Sequence, residues 1–176
     1  MPKLTITTAL CLLATTLAVN LTQANDAKVE TPPTAEPYLE FAFEEIVTLA
    51  DAMPVGTTGL GKRNIIPITG GRFYGDKLKG EILPGGWDWQ LQRADGCTLI
   101  EADYMLKTDD GVIINVLNKG TLCQMPGKGF SARTHPVFEV PVGKYDWLNK
   151  TTFIGTLEPA PKSEGPAVKI KFYAVK

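Results

Sequence analysis

Residues 83–100 read Leu-Pro-Gly-Gly-Trp-Asp-Trp-Gln-Leu-Gln-Arg-Ala-Asp-Gly-Cys-Thr-Leu-Ile. Pro84-Gly85-Gly86 is turn chemistry, because proline presets one backbone angle and glycine tolerates the other. From Trp87 to Arg93 the side chains alternate, with Trp87, Trp89 and Leu91 on one face and Asp88, Gln90 and Gln92 on the other. Period-two alternation belongs to a strand whose faces meet different surroundings. Asp95-Gly96 is a hairpin signal, and Thr98 to Lys107 is the returning strand.

The same grammar extends both ways. Asp110-Gly111 turns the chain into Val112–Asn118, and Leu78–Leu83 precedes the first turn. Upstream, Leu39, Phe41 and Phe43 alternate with Glu40 and Glu44, so Tyr38–Ala50 reads as a long strand. Glycines 56, 59 and 61 read as a loop, followed by Arg63–Thr69, a Gly70-Gly71 break and Arg72–Tyr74. Ser131–Val140, Thr151–Glu158 and Ala167–Val175 complete about nine strands with turn chemistry between them. The expected fold is all-β, a single antiparallel β-barrel of about eight to nine strands, because closure removes exposed edges. A barrel of about eight strands is either filled by side chains or holds one small ligand.

Composition agrees and excludes several functions. The chain has 176 residues, 17 Gly and 13 Pro, too many helix interrupters for a mainly helical protein. A formal charge of −1 argues against nucleic acid as a partner. A single His excludes sites built from two or three imidazoles, so no metal is expected. No GxGxxG or phosphate-binding loop opens a helix, and no cofactor is expected. Asp109 and Asp110 carry only a fragment of a calcium loop, and turn formation before Gly111 explains them.

The N-terminus resembles an export signal. Lys3 precedes the uncharged stretch from Leu4 to Val19, and Thr22-Gln23-Ala24 supplies the small residues a signal peptidase needs. The stretch is shorter than the roughly 20 apolar residues of a membrane span, so no span is expected after cleavage. The expected organisation is a signal peptide at 1–24, a flexible proline-bearing linker at 25–36 and the barrel at 37–176. Localisation would be secreted or periplasmic. Cleavage removes Cys11 and leaves Cys97 and Cys123, which are either one disulfide or two free thiols.

Candidate chemistry clusters on the central hairpins. Asp88, Asp103 and Glu139 are candidate proton-transfer carboxylates, and Tyr104 could orient a substrate oxygen. Trp87, Trp89, Gln90, Asn118, Arg133, His135, Phe138 and Trp147 are the candidate ligand-binding residues. The polar face either meets water or lines a cavity, and alternation alone leaves both open.

These residues resemble a known family, the proteins carrying domain of unknown function 3237. The resemblance rests on Pro67-Ile-Thr-Gly-Gly71, Leu83-Pro-Gly-Gly-Trp-Asp-Trp-Gln90, Leu106-Lys-Thr-Asp-Asp-Gly111, Asn118-Lys-Gly120, Arg133-Thr-His-Pro-Val-Phe-Glu139 and Tyr145-Asp-Trp-Leu-Asn149. It implies a calycin-like, lipocalin-type barrel of one domain. By position, Asp88, Trp89, Thr108, Asp110, Asn118, Arg133 and Glu139 match its motif residues, whereas Asp103 stands where the family often has Arg.

Two functions follow as expectations. The first is a barrel that binds a small apolar or aromatic molecule. The alternative is a cofactor-free isomerase, cyclase or hydrolase using Asp88 with Arg133 and Asn118 in the cavity. The export reading makes the first prediction: intact-mass measurement should show a secreted chain beginning at Asn25, and retention of residues 1–24 would refute it.

Overall fold

In the computed structural model, residues 35–125 and 129–176 are described. The expected signal segment and residues 25–34 of the linker lie outside them. The ten strands are β1 (Leu39–Leu49), β2 (Met53–Thr58), β3 (Gly61–Tyr74), β4 (Lys79–Ile82) and β5 (Gly86–Gln92), then β6 (Thr98–Thr108), β7 (Ile113–Met125), β8 (Gly129–Glu139), β9 (Phe153–Pro159) and β10 (Ala167–Val175). Every pairing is antiparallel, and β1 pairs with both β10 and β3. That double pairing closes the sheet into the expected barrel.

Eight positions make the ring. β4 and β5 share one of them, each lying between β3 and β6, and β2 is an added strand on β3. Two expectations therefore change. Met53–Thr58 is a strand rather than loop, because Pro54 and Gly56 sit at an irregular step in its pairing that accommodates both. Gly70-Gly71 bends one continuous β3 instead of ending it. A Cβ at Gly71 would lie 2.0 Å from the Ile46 carbonyl oxygen, so only glycine lets β1 approach this closely.

The core fills one end of the barrel. Phe43, with no exposed surface, packs its ring 4.9 Å from Phe172 and 5.7 Å from Phe138. Phe153 closes the same cluster, 5.1 Å from Phe138. A short 3-10 turn, Asp146–Leu148, plugs this end, with Leu148 and the neighbouring Tyr145 buried. Asp110 pins the plug: one oxygen accepts from Thr108 (2.6 Å) and Tyr145 (2.9 Å), and the other from Lys144 (2.7 Å). The Asn149 side chain reinforces it by accepting from the Val140 N–H at 3.2 Å and donating to its carbonyl at 3.0 Å. Thr108, Asp110 and Tyr145–Asn149 thus serve the fold, although their motifs stood beside those of the site.

At the opposite end Cys97 and Cys123 are joined in a disulfide, with Cα atoms 4.4 Å apart and a sequence separation of 26. It ties the start of β6 to β7 next to the Thr98–Leu122 pair. A cross-link over a loop of this size contributes about 3 kcal/mol in the chain-entropy model. Reduction, or replacement of both cysteines by serine, should lower the urea midpoint by a corresponding amount while far-UV circular dichroism keeps its β-sheet form.

Candidate functional site

The ladders on either side of β5 determine which side chains enter the barrel. Asp88 stands between Ile66 of β3 and Ala102 of β6, and Ala102 in turn pairs with Asn118 of β7. These residues form one inward-facing row, and Gln90 lies two positions along the same face of β5. Tyr104 belongs to the neighbouring row, and its hydroxyl crosses the interior to donate to Glu45 of β1 at 2.6 Å. Phe43, Glu45 and Val47 share the inner face of β1 by parity, and all three are buried.

Between these walls lies a cavity of about 150 Å³. Ile66, Ile68, Ile100 and Ile170 supply apolar walls, while Asp88, Gln90, Tyr104 and Asn118 supply the polar groups. That volume is on the scale of a benzene-sized guest. Asp88 Oδ2 accepts from Gln90 at 2.8 Å. Asp88 Oδ1, Asn118 Oδ1 and Glu45 Oε1 are buried with no hydrogen-bond partner. Three unpaired polar oxygens within a small barrel are costly and call for a role.

Burial dominates the electrostatics. It pushes the Glu45 carboxyl up to about 8, against the opposing pull of the Tyr104 hydroxyl. Asp88 is raised by burial too, offset by the Gln90 side chain and the Glu101 backbone. Tyr104 is held well above the ordinary phenol range, first by burial and then by the charges of Glu45 and Asp88. The site therefore holds a carboxyl that stays protonated at neutral pH, a tyrosine bonded to it, and a second carboxylate close enough to influence that tyrosine.

The remaining sequence candidates lie elsewhere. Trp87 and Trp89 alternate with Asp88 and so face outward, 41% and 45% exposed. Asp103, Arg133, His135 and Glu139 are also exposed on the outer wall. The pairing of Asp88 with Arg133 inside the cavity is thus corrected: period-two alternation puts them on opposite sides of the sheet. The Arg133 guanidinium instead donates to the Ala132 carbonyl at 3.0 Å. Phe138 is core, and Trp147 packs on Phe153 at the plugged end, 5.8 Å between centroids. Asp88, Gln90, Tyr104 and Asn118 are the candidates that converge. Glu45 was not among them, although its shared parity with Phe43 and Val47 was the available signal. Among the described residues, no group of three or more His, Cys, Asp or Glu side chains gathers as a metal site.

A family model described as protein of unknown function (DUF3237) matches residues 37–175. The chain belongs to that family. It is 34% identical to a UPF0311 protein of Rhodopseudomonas palustris over 137 residues, covering 70% of this chain and 88% of the relative. A crystal structure of a β-barrel-like protein from Acinetobacter baumannii superposes with a TM-score of 0.73 at 35% identity, covering 84% and 99% of the two chains. The chain is also 28% identical over 120 residues to the hydroalkoxylation enzyme phnH of Penicillium herquei, covering 68% and 74%. This DUF3237 barrel thus shares its family's fold and has a named enzyme among its more distant relatives.

Glu45 gives the site a stability signature. The folded state holds a proton on Glu45 that the unfolded chain, at the ordinary value of 4.5, has released. Its contribution is therefore full below pH 4.5 and is lost as pH rises towards about 8. Urea unfolding from pH 5 to pH 8.5 should show stability falling with pH, and Glu45→Gln should flatten that slope.

Proposed function

We propose that this protein is an enzyme that moves protons within its barrel, adding a hydroxyl group across a carbon–carbon double bond in a small, largely apolar substrate. The observation that carries the reading is an apolar cavity lined by Asp88 and Tyr104, with the buried Glu45 bonded to Tyr104 behind it. A barrel that only stored an apolar guest would gain nothing from two buried carboxyl groups and would bear the cost of their desolvation. A proton-transfer site needs both, with environments that push their proton affinities apart.

The chemistry balances without an oxidant or reductant. Asp88, whose carboxylate form is favoured by the Gln90 side chain and the Glu101 backbone against the effect of burial, accepts the proton of the substrate hydroxyl. The oxygen forms its new bond to one alkene carbon while the other carbon receives a proton from Tyr104, which Glu45 replaces across their 2.6 Å contact. The proton taken up by Asp88 then returns through solvent to Glu45, leaving the enzyme unchanged. Asn118 and Gln90 orient the oxygen, and the isoleucine walls hold the alkene. The name of phnH supports this reading, since hydroalkoxylation is such an addition. The apolar walls also keep the binding of a small aromatic molecule within the proposal, as the first step of turnover.

We propose further that the chain acts outside the cytoplasm after export. The signal-like segment supports this, and so does the Cys97–Cys123 disulfide, which persists in oxidising compartments.

Incubating the protein in D2O with a panel of hydroxyl-bearing aromatic alkenes tests the chemistry. Deuterium should enter at carbon in the cyclised product, as read by NMR. Asp88→Asn should slow turnover by about 10²-fold or more while the substrate still quenches or shifts fluorescence on binding. Wild-type turnover unchanged in both Asp88→Asn and Tyr104→Phe would refute the proposal.

A further inference from the structure

Arg63 of β3 is half-buried, and among the described residues it has no hydrogen-bond or ion-pair partner. Its guanidinium holds five N–H donors in a fixed fork and cannot shed its charge. Strand parity places it outside the barrel. Ile66 and Asp88 face the cavity, so Arg63, Trp89 and Leu91 project from the other side of the sheet. In the ladders Arg63 stands level with Leu91, and Leu91 with Leu99 of β6.

These side chains line an outer groove of about 580 Å³. Trp89, Leu91 and Leu99 give it apolar surface, with Trp89 45% and Leu99 38% exposed. Its ionic lining sets three cations, Arg63, Lys119 and Arg133, against the single carboxylate of Glu101, which Lys119 holds at 3.0 Å. His135 lies level with Lys119. The groove is therefore net positive in a chain whose formal charge is −1. Positive charge beside exposed apolar surface recognises an anion that carries an apolar body.

We propose that this groove binds a small amphipathic anion, an aromatic body bearing one carboxylate. The carboxylate takes the Arg63 fork, whose geometry it matches bidentately. The aromatic body lies over Leu91 and Leu99 against Trp89, where ring contacts add to apolar burial. Glu101, level with Trp89 in the ladder, selects one charge over a run of them, because a continuous polyanion would set a further anionic group against it. The site is separate from the cavity, since Gln90, between Trp89 and Leu91, points to the opposite side of the sheet. It therefore stands apart from the reaction proposed above.

Saturation-transfer NMR titrations with naphthoate and its uncharged counterpart naphthylmethanol, at low ionic strength, test the proposal. Naphthoate should bind with a dissociation constant of about 1 mM or below, about tenfold more tightly than the alcohol. Arg63→Gln should weaken naphthoate about tenfold, to the level of the alcohol, with thermal unfolding verifying that the variant is folded. Arg72→Gln removes the same charge from the same strand, at a guanidinium already paired with Glu164, and should leave both affinities unchanged. Trp89→Ala should weaken both probes. The proposal is overturned if neither probe binds, if the two bind alike, or if Arg63→Gln acts no more strongly than Arg72→Gln. Binding of both probes that is indifferent to Trp89→Ala would overturn it too.

Discussion

Asp88 and Gln90 reach the cavity because β5 has one parity and no other. Its ladders to β3 and β6 fix Asp88 between Ile66 and Ala102. Gly86, two residues earlier on the same face, is equally constrained, since a Cβ there would lie 2.5 Å from the Cβ of Tyr104. A slip of one residue would drive Trp87 into Tyr104 and send Asp88 to water. The glycine that accommodates Tyr104 and the acid that faces the cavity beside it are therefore one structural decision. Register on this strand is chemical as well as architectural.

That decision is sustained by a division along the barrel axis. At one end the phenylalanines interdigitate and the Tyr145–Leu148 segment is locked through Asp110, so apolar burial there is nearly complete. Burying a phenylalanine contributes roughly 1.5–3 kcal/mol by area, and several meet around Phe43. The other end keeps Glu45, Asp88 and Asn118 with acceptors unpaired, an arrangement that opposes folding. A barrel filled evenly along its length would be more stable and would have nowhere to hold a substrate.

Much of the fold was legible in the sequence because its signals are local. Asp95-Gly96 and Asp110-Gly111 specify their own turns, and the alternation of β1, β5 and β6 needs no distant partner to be recognised. What failed were inferences requiring knowledge of the neighbour. Gly70-Gly71 looks like a break until β1 is seen lying against it. Met53–Thr58 looks like a loop until β3 is long enough to pair with it. The site suffered most, since Trp87 and Trp89 are what a core would be expected to contain, yet they face outward. Asp88 is what a surface would contain, yet it faces inward. Hydropathy assigns faces by majority, and β5 inverts the majority. Glu45 escaped because the adjacent Glu44 made the pair look like solvent-facing charge. In fact Glu44 points outward, accepting from Tyr74 and lying near Lys171, while Glu45 points inward.

The inversion of β5 also links the two faces of the wall. Placing an acid and an amide inside forces Trp87, Trp89 and Leu91 outside, because successive side chains on a strand cannot share a face. The interior thereby acquires polar groups that the core would reject, and the exterior acquires apolar groups that water would reject. The Glu45–Tyr104 bond partly compensates the interior from across the barrel, while among the described residues Trp87 and Trp89 stay exposed. The polarity reversal that places Asp88 and Gln90 in the cavity is thus the same one that leaves the tryptophans at the outer surface.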